Sequence, residues 1–300
     1  MKSTMRRFAC ILSAVAFPVF LCVPSALGDD SAKPLFDRGK LLATGGVSQV
    51  EGAGGAGLTT WALIGGYGSD HGLGLTAHGT LVPLDDFTFR AAGLALGVFD
   101  RLEVSYSRQW FDTGSTGAAL GLGEDFTFGQ DIFGAKLRIA GDAVYDQDRW
   151  LPQIAVGLQH KRAKQGAILA AVGAAHDKGT DFYIAATKVF LKYSLLANAT
   201  VRFTKANQFG LLGFGSADDG YKTTVEGSLA WLITDHWVAG VDYRTKPDNL
   251  AFAKEEDAMA AYVAWFPSKH VSVTVGYADL GEIALQDDQQ GLYLSLQMGF

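Results

Sequence analysis

The sequence predicts an all-β protein, a transmembrane antiparallel up-and-down β-barrel, on three observations. Apolar and polar side chains alternate with a period of two over repeated segments, which is the strand signature. The segments run to about ten residues, the length a tilted strand needs to cross a bilayer, whereas strands of soluble sandwiches run to about five or six. The links between them alternate between short and long, as they do in outer-membrane barrels. Composition agrees. With 37 Gly and 19 Phe, only 19% charged residues and 7 Pro in 300 residues, the chain is neither disordered, collagenous nor coiled coil.

Residues 1–28 read as a secretory signal, leaving 29–300 as the barrel domain. Lys2, Arg6 and Arg7 precede an uncharged run over 8–23, and Ser25-Ala26-Leu27-Gly28 offers a cleavage site. The run is shorter than the ~20 residues of a spanning helix and contains Pro18. Both cysteines, Cys10 and Cys22, fall inside it, so the exported chain has no disulfide and no thiolate. Its charge is 22 basic against 31 acidic residues, or −9, and without a basic patch this excludes nucleic acid as a partner.

In chain order, strands are expected over 40–50, 58–67, 72–81, 87–98, 101–111, 131–143, 151–161, 181–192, 194–205, 221–233, 236–246, 256–266, 270–279 and 289–300. That gives about fourteen, with twelve as the alternative because the start is Gly-rich. The segment 101–111 sets Leu102, Val104, Tyr106 and Trp110 against Glu103, Ser105, Ser107 and Gln109; 221–233 sets Val225, Leu229 and Trp231 against Glu226 and Ser228. Apolar faces ending in aromatics, such as Trp231, Trp237, Tyr243 and Tyr277, match the girdles of a membrane barrel.

The last strand carries the most specific local pattern, with Leu292, Leu294, Leu296, Met298 and Phe300 on one face. It resembles the closing strand of Gram-negative outer-membrane barrels, although Met298 stands where an aromatic is usual. That resemblance implies recognition by the barrel assembly machinery, with outer-membrane lipid and lipopolysaccharide as surroundings. The segments 41–52, 131–157 and 179–188 resemble an uncharacterised proteobacterial outer-membrane family of about 300 residues with no assigned activity. This implies a fold and no chemistry.

No cofactor, metal or catalytic site is expected. The histidines His71, His78, His160, His176, His236 and His270 show no zinc spacing, and the acid pairs on loops lack a calcium-site pattern. His160 has no serine at the short spacing of a barrel lipid hydrolase, which stays the least favoured alternative. The assigned lumen face is basic: Arg90, Lys136, Arg138, Lys161, Lys188, Lys192, Arg202, Lys222, Arg244 and Lys246 outnumber Glu103, Asp142, Glu226 and Asp242. A basic lining favours anions. The expectation is therefore a passive or substrate-selective channel for small anionic solutes, with a closed surface barrel as the second class. The run Gly166–Ala175 is the expected plug, as an inward-folded helix or one packed on the rim. A fatty-acid-transporter type of barrel is disfavoured, because only about eleven exported residues would precede the first strand.

Overall fold

The computed structural model describes residues 39–45, 47–250 and 254–300; the expected signal segment lies outside them. Twelve antiparallel strands close into one barrel, with β1 (Leu73–Pro83) pairing both β2 (Thr88–Val98) and β12 (Gln290–Gly299). Between these run β3 (Leu102–Asp112), β4 (Thr127–Ala140), β5 (Gln153–Ala163), β6 (Lys178–Phe190), β7 (Leu195–Thr204), β8 (Lys222–Thr234), β9 (Trp237–Arg244), β10 (Ala258–Ser268) and β11 (Val271–Asp279). Each neighbour in sequence is a neighbour in the wall. Closure leaves no unpaired edge, the condition for a sheet to sit in hydrocarbon.

Most strands fall within one to three residues of the expected positions, since alternation and turn chemistry act locally. Two expected strands, 40–50 and 58–67, are not in the wall, so the count is twelve and not fourteen. Residues in these stretches make only isolated bridges, Ser48 to Gly54 and Gly55 to Thr60. From Thr44 on, the described residues of these stretches are almost all buried, including Gln49, Thr59, Thr60, Ala62 and Tyr67, whereas Leu41 is exposed. Alternation alone does not separate a half-buried strand from an irregular segment enclosed by a wall.

The outer surface is a belt of exposed apolar side chains, among them Leu94, Phe133, Ile184, Val225, Leu229, Val241 and Val275. Aromatics flank it at both ends. Trp231, Trp237 and Trp265 lie near the short links, with Trp237 and Trp265 stacked 6.0 Å apart. Phe182, Tyr221, Tyr243 and Tyr277 lie near the long ones. The end bearing Phe300 and the 99–101, 191–194 and 235–236 links is called the turn end; the other is the loop end. At the turn end the carbonyl of Phe300 accepts from Tyr67 N and Leu75 N, both at 2.9 Å. Leu292, Leu296, Met298 and Phe300 all point outward and exposed on the closing strand.

The register makes a direct test. Leu229 is mid-strand in β8 and half exposed to lipid, so Leu229→Arg should destabilise the inserted barrel by about 2–4 kcal/mol. Asp235→Arg, in an exposed link, should leave stability unchanged. The measurement is reversible unfolding in lipid vesicles; equal stabilities would contradict the register. Ser228, one residue away, is no neutral control. Its hydroxyl donates to Asp242 at 2.9 Å in the interior, and a second carboxylate there would face the first.

Candidate functional site: the occupied lumen

The lumen holds the described residues of the chain between Thr44 and Tyr67. An irregular backbone buried at membrane depth needs a partner for each N–H and C=O; some pair within the segment, such as Gln49 N with Ala53 O and Trp61 N with Gly54 O, and others need one from the wall. The inward-facing side chains supply them. Near the turn end, Glu103 accepts from Gly54 N at 3.1 Å and Gly65 N at 2.6 Å. Its register partner on β4, Lys136, donates to the carbonyls of Gly54, Trp61 and Leu63 at 3.2, 3.1 and 2.6 Å. The two ions also pair at 3.1 Å. One wall carboxylate and one wall ammonium thus act as a substitute strand.

Further along, polar side chains repeat the pattern. Thr187 accepts from Ala62 N, and Gln153 donates to Ala62 O. Asn198 and Thr200 both donate to Thr60 O, while Glu226 accepts from Thr60 N. Asp242 accepts from Leu58 N and Arg244 donates to Leu58 O. Gln297 clamps Ser48 by accepting from its N–H and donating to its carbonyl. Ser107 and Gln109 donate to Val50 O, each at 3.0 Å.

Glu51 is the charged centre of the inner segment. Fully buried, it accepts from Lys161 at 2.6 Å and from Arg244 through both oxygens at 3.0 and 3.2 Å. Arg202 approaches it at 3.8 Å while donating to Glu226, Gln159 and Thr60. Asp181 completes the group, 2.9 Å from Lys161 and 3.3 Å from Arg202. Desolvated ions of this kind persist only when paired and hydrogen-bonded, and removing one partner leaves an uncompensated charge.

The expected lumen residues separate into three sets. Glu103, Lys136, Arg202, Glu226, Asp242 and Arg244 are buried inside the barrel against the inner segment. Arg138, Asp142 and Lys222 lie at the ends: Arg138 pairs with Asp100 and Asp142 at the turn end, and Lys222 with Asp218 at the loop end. Arg90 and Lys188 are on the opposite parity. Arg90 shares the outward face of Leu94 and pairs with Asp112 at the rim. Lys188 shares the face of Phe182 and Ile184, and its amine donates to the carbonyls of Asp146 and Leu151 in the turn beneath it. Long basic side chains reach a polar rim from a lipid-facing position, which is why charge misassigned their faces.

Lys192 lies in a 3-10 turn and Lys246 in the loop after β9, so neither is a wall residue. The buried wall therefore holds Lys136, Lys161, Arg202 and Arg244 against Glu103, Asp181, Glu226 and Asp242. That balance is neutral, and the expected ten-to-four basic excess does not exist as an exposed lining. Sequence reasoning also missed Asp181 and Glu51. The first opens the expected strand 181–192 but lies inside β6, and the second falls just past the expected strand 40–50, which is not in the wall.

Of the two expectations for the run 166–175, the rim-packed helix holds and the inward-folded one does not. After a first short helix, α1 (Thr116–Ala119), the run forms α2 (Gly166–Ala171) at the loop end, with Leu169 buried in one cluster with Leu211 and Leu212. The lumen is filled instead by the segment ahead of β1, which starts at Leu73, so more chain precedes the first strand than the eleven residues held against a fatty-acid-transporter type of barrel. At the loop end Lys246 donates to Gln208 and Leu280, and Glu255 accepts from Gln208 N. Burial holds the Glu255 carboxyl above its ordinary range and the Lys246 ammonium below its own. Among the described residues no three His, Cys, Asp or Glu side chains form a metal-binding group.

A closed barrel with an apolar belt, two aromatic girdles and a polar, filled interior defines an outer-membrane β-barrel protein. Residues 44–297 match the family described as "Protein of unknown function (DUF3034)", and the chain belongs to that family. No curated protein sequence matches it. Among solved structures it is similar to the KdgM porin, at 8% identity and a TM-score of 0.49, covering 75% of this chain and 99% of that one. The COG4313 outer membrane channel from Pseudomonas putida F1 is 10% identical, with a TM-score of 0.45 over 76% of this chain and 93% of that one. The outer membrane phospholipase A from Escherichia coli is 8% identical, with a TM-score of 0.42 over 75% of this chain and 92% of that one.

The tethering of the inner segment is testable at single amides. Hydrogen bonds to a charged group contribute roughly 1.5–3 kcal/mol. Glu103→Gln should therefore speed hydrogen exchange at Gly54 and Gly65 by about ten- to a hundredfold, with β7 and β8 amides unchanged. Unaltered protection at both glycines would show that the carboxylate does not hold the segment.

Proposed function

We propose that the protein is a substrate-selective outer-membrane channel that its own residues 44–67 hold closed. The observation that carries this is the mode of attachment: the segment is bound by side chains across the wall and by no continuous strand pairing. Such contacts release as a group when the ions that organise them are unpaired. Anions have no special claim as the solute. With Glu51 withdrawn, the wall keeps four cations against four acids, and neither sign dominates the field. The loop end is read as facing outward from the cell and the turn end inward, following the link lengths. His160, on the outer wall, lies 2.9 Å from Thr180 Oγ1, a threonine hydroxyl where a barrel lipid hydrolase uses serine.

The deciding experiment is current in planar bilayers for wild type and Glu51→Ala. Breaking a buried charge cluster from one side costs on the order of 3–5 kcal/mol, and here that cost falls on the closed state. Wild type should be mostly silent and Glu51→Ala should show frequent openings with little ion preference. A folded variant that stays silent, in the point mutant and in a chain lacking residues 39–67, would favour a closed structural barrel.

The outward face of the closing strand, Leu292 to Phe300, is proposed as the element read during assembly. Removing Phe300 deletes the acceptor of two amides at barrel closure. The truncated chain should accumulate in the periplasm, and normal insertion would remove this strand from that role.

A further inference from the structure

Interiors of membrane barrels are ordinarily polar. Here the loop-end third is not. Phe89, Phe111 and Phe128 stand in register on β2, β3 and β4, and all three face inward and are buried. They form one side of a cavity of about 200 Å³ inside the barrel mouth. Val50 and Leu58, from the inner segment, are its floor. Its ceiling comes from α2, through Ile168 and Val172, and from Leu211 and Leu212 of the loop after β7.

The polar groups at the cavity edge are already used. Thr113 Oγ1 donates to Phe126 O at 2.8 Å. Gln208 donates to Glu282 O and accepts from Lys246. The Tyr293 hydroxyl is hydrogen-bonded to the side chains of Ser295 and Thr80. A ligand with donors or acceptors would lose its water and find no partner, a costly exchange. A ligand with none would gain dispersion contact with aromatic rings. Phe87 packs on Phe111 with centroids 4.9 Å apart. Size narrows the class further: an apolar cavity of about 150 Å³ lined by Leu, Ile and Phe stays dry and takes up benzene.

We propose that this cavity is a binding site for a neutral one-ring aromatic hydrocarbon, the substrate class of the channel. This identification rests on the channel reading; the site itself does not. The geometry also connects the site to the lock on the inner segment. Phe209, in the cavity wall, stacks on the Arg244 guanidinium at 4.4 Å, and Arg244 holds Glu51. Gln208 and Phe209 have φ values of 45° and 59°, in the left-handed region that non-glycine residues avoid. Strained positions of this kind gather at ligand clamps. The cavity wall is thus in direct contact with one of the cations that hold Glu51.

The test is photolabelling of the full chain in phosphatidylcholine vesicles with 3-trifluoromethyl-3-phenyldiazirine, read by peptide mass spectrometry. Peptides carrying Phe89, Phe111 and Phe128 should label saturably and lose the label to excess toluene. The lipid-facing peptide around Leu229 should label in proportion to probe and resist displacement. Ala278→Phe fills the cavity from β11 and Val172→Trp fills it from the ceiling; each should lower the displaceable labelling about tenfold, equivalent to roughly 1.4 kcal/mol. Labelling of the inner peptides that toluene does not displace, or that both filled variants retain, would overturn the site. Displaceable labelling in a protein whose plug variants never conduct would keep the site and overturn the channel. Conduction without displaceable labelling would do the reverse.

Discussion

A polypeptide backbone enclosed at membrane depth must find hydrogen-bond partners for every peptide group, and that requirement organises this protein. The wall satisfies itself by closing into twelve strands. The segment inside is not part of the wall, so inward side chains meet much of its backbone instead. Glu103 and Lys136 show the principle most clearly, since together they serve two amides and three carbonyls of the inner segment. The charges of this barrel are placed primarily as backbone partners, and their mutual pairing keeps them tolerable in a low-dielectric interior.

That placement changes what the interior charge means. A ring of free lysines and arginines would create a field reaching into solvent. Four cations interleaved with four acids, with Glu51 held among three of the cations, create a local lock. The ions are also connected outward, because Arg244 touches both Glu51 and Phe209. A polar middle and an apolar mouth are thus neighbouring parts of one packed unit, with Val50 and Leu58 on the boundary.

Particular residues mark where sequence reading stops. For Glu103, Lys136, Glu226 and Asp242 a period of two on a long strand was enough, because wall strands alternate strictly between lipid and interior. For Arg90 and Lys188 the assumption that charge faces inward failed, since both sit near a rim where a long side chain reaches polar groups. Phe89, Phe111 and Phe128 carried no sequence signal: Phe111 shares the face of Glu103, Phe128 falls in an expected link, and only their burial against inner-segment and loop residues shows that the mouth is apolar.

The sequence by itself determined the class of fold, the approximate strand positions, the outward belt and the closing strand. These follow from local alternation and turn chemistry, which a single strand already contains. Tertiary structure decided the strand number, the content of the lumen and the fate of its charge. The stretches 40–50 and 58–67 carry a pattern compatible with strands, and nothing local prevents them from joining the wall. They lie inside because the barrel closes through β1 and β12 without them, and because partners as distant in sequence as Asp242, Arg244 and Gln297 converge on their backbone. Long-range convergence of that kind is a property of the closed barrel and of no segment within it.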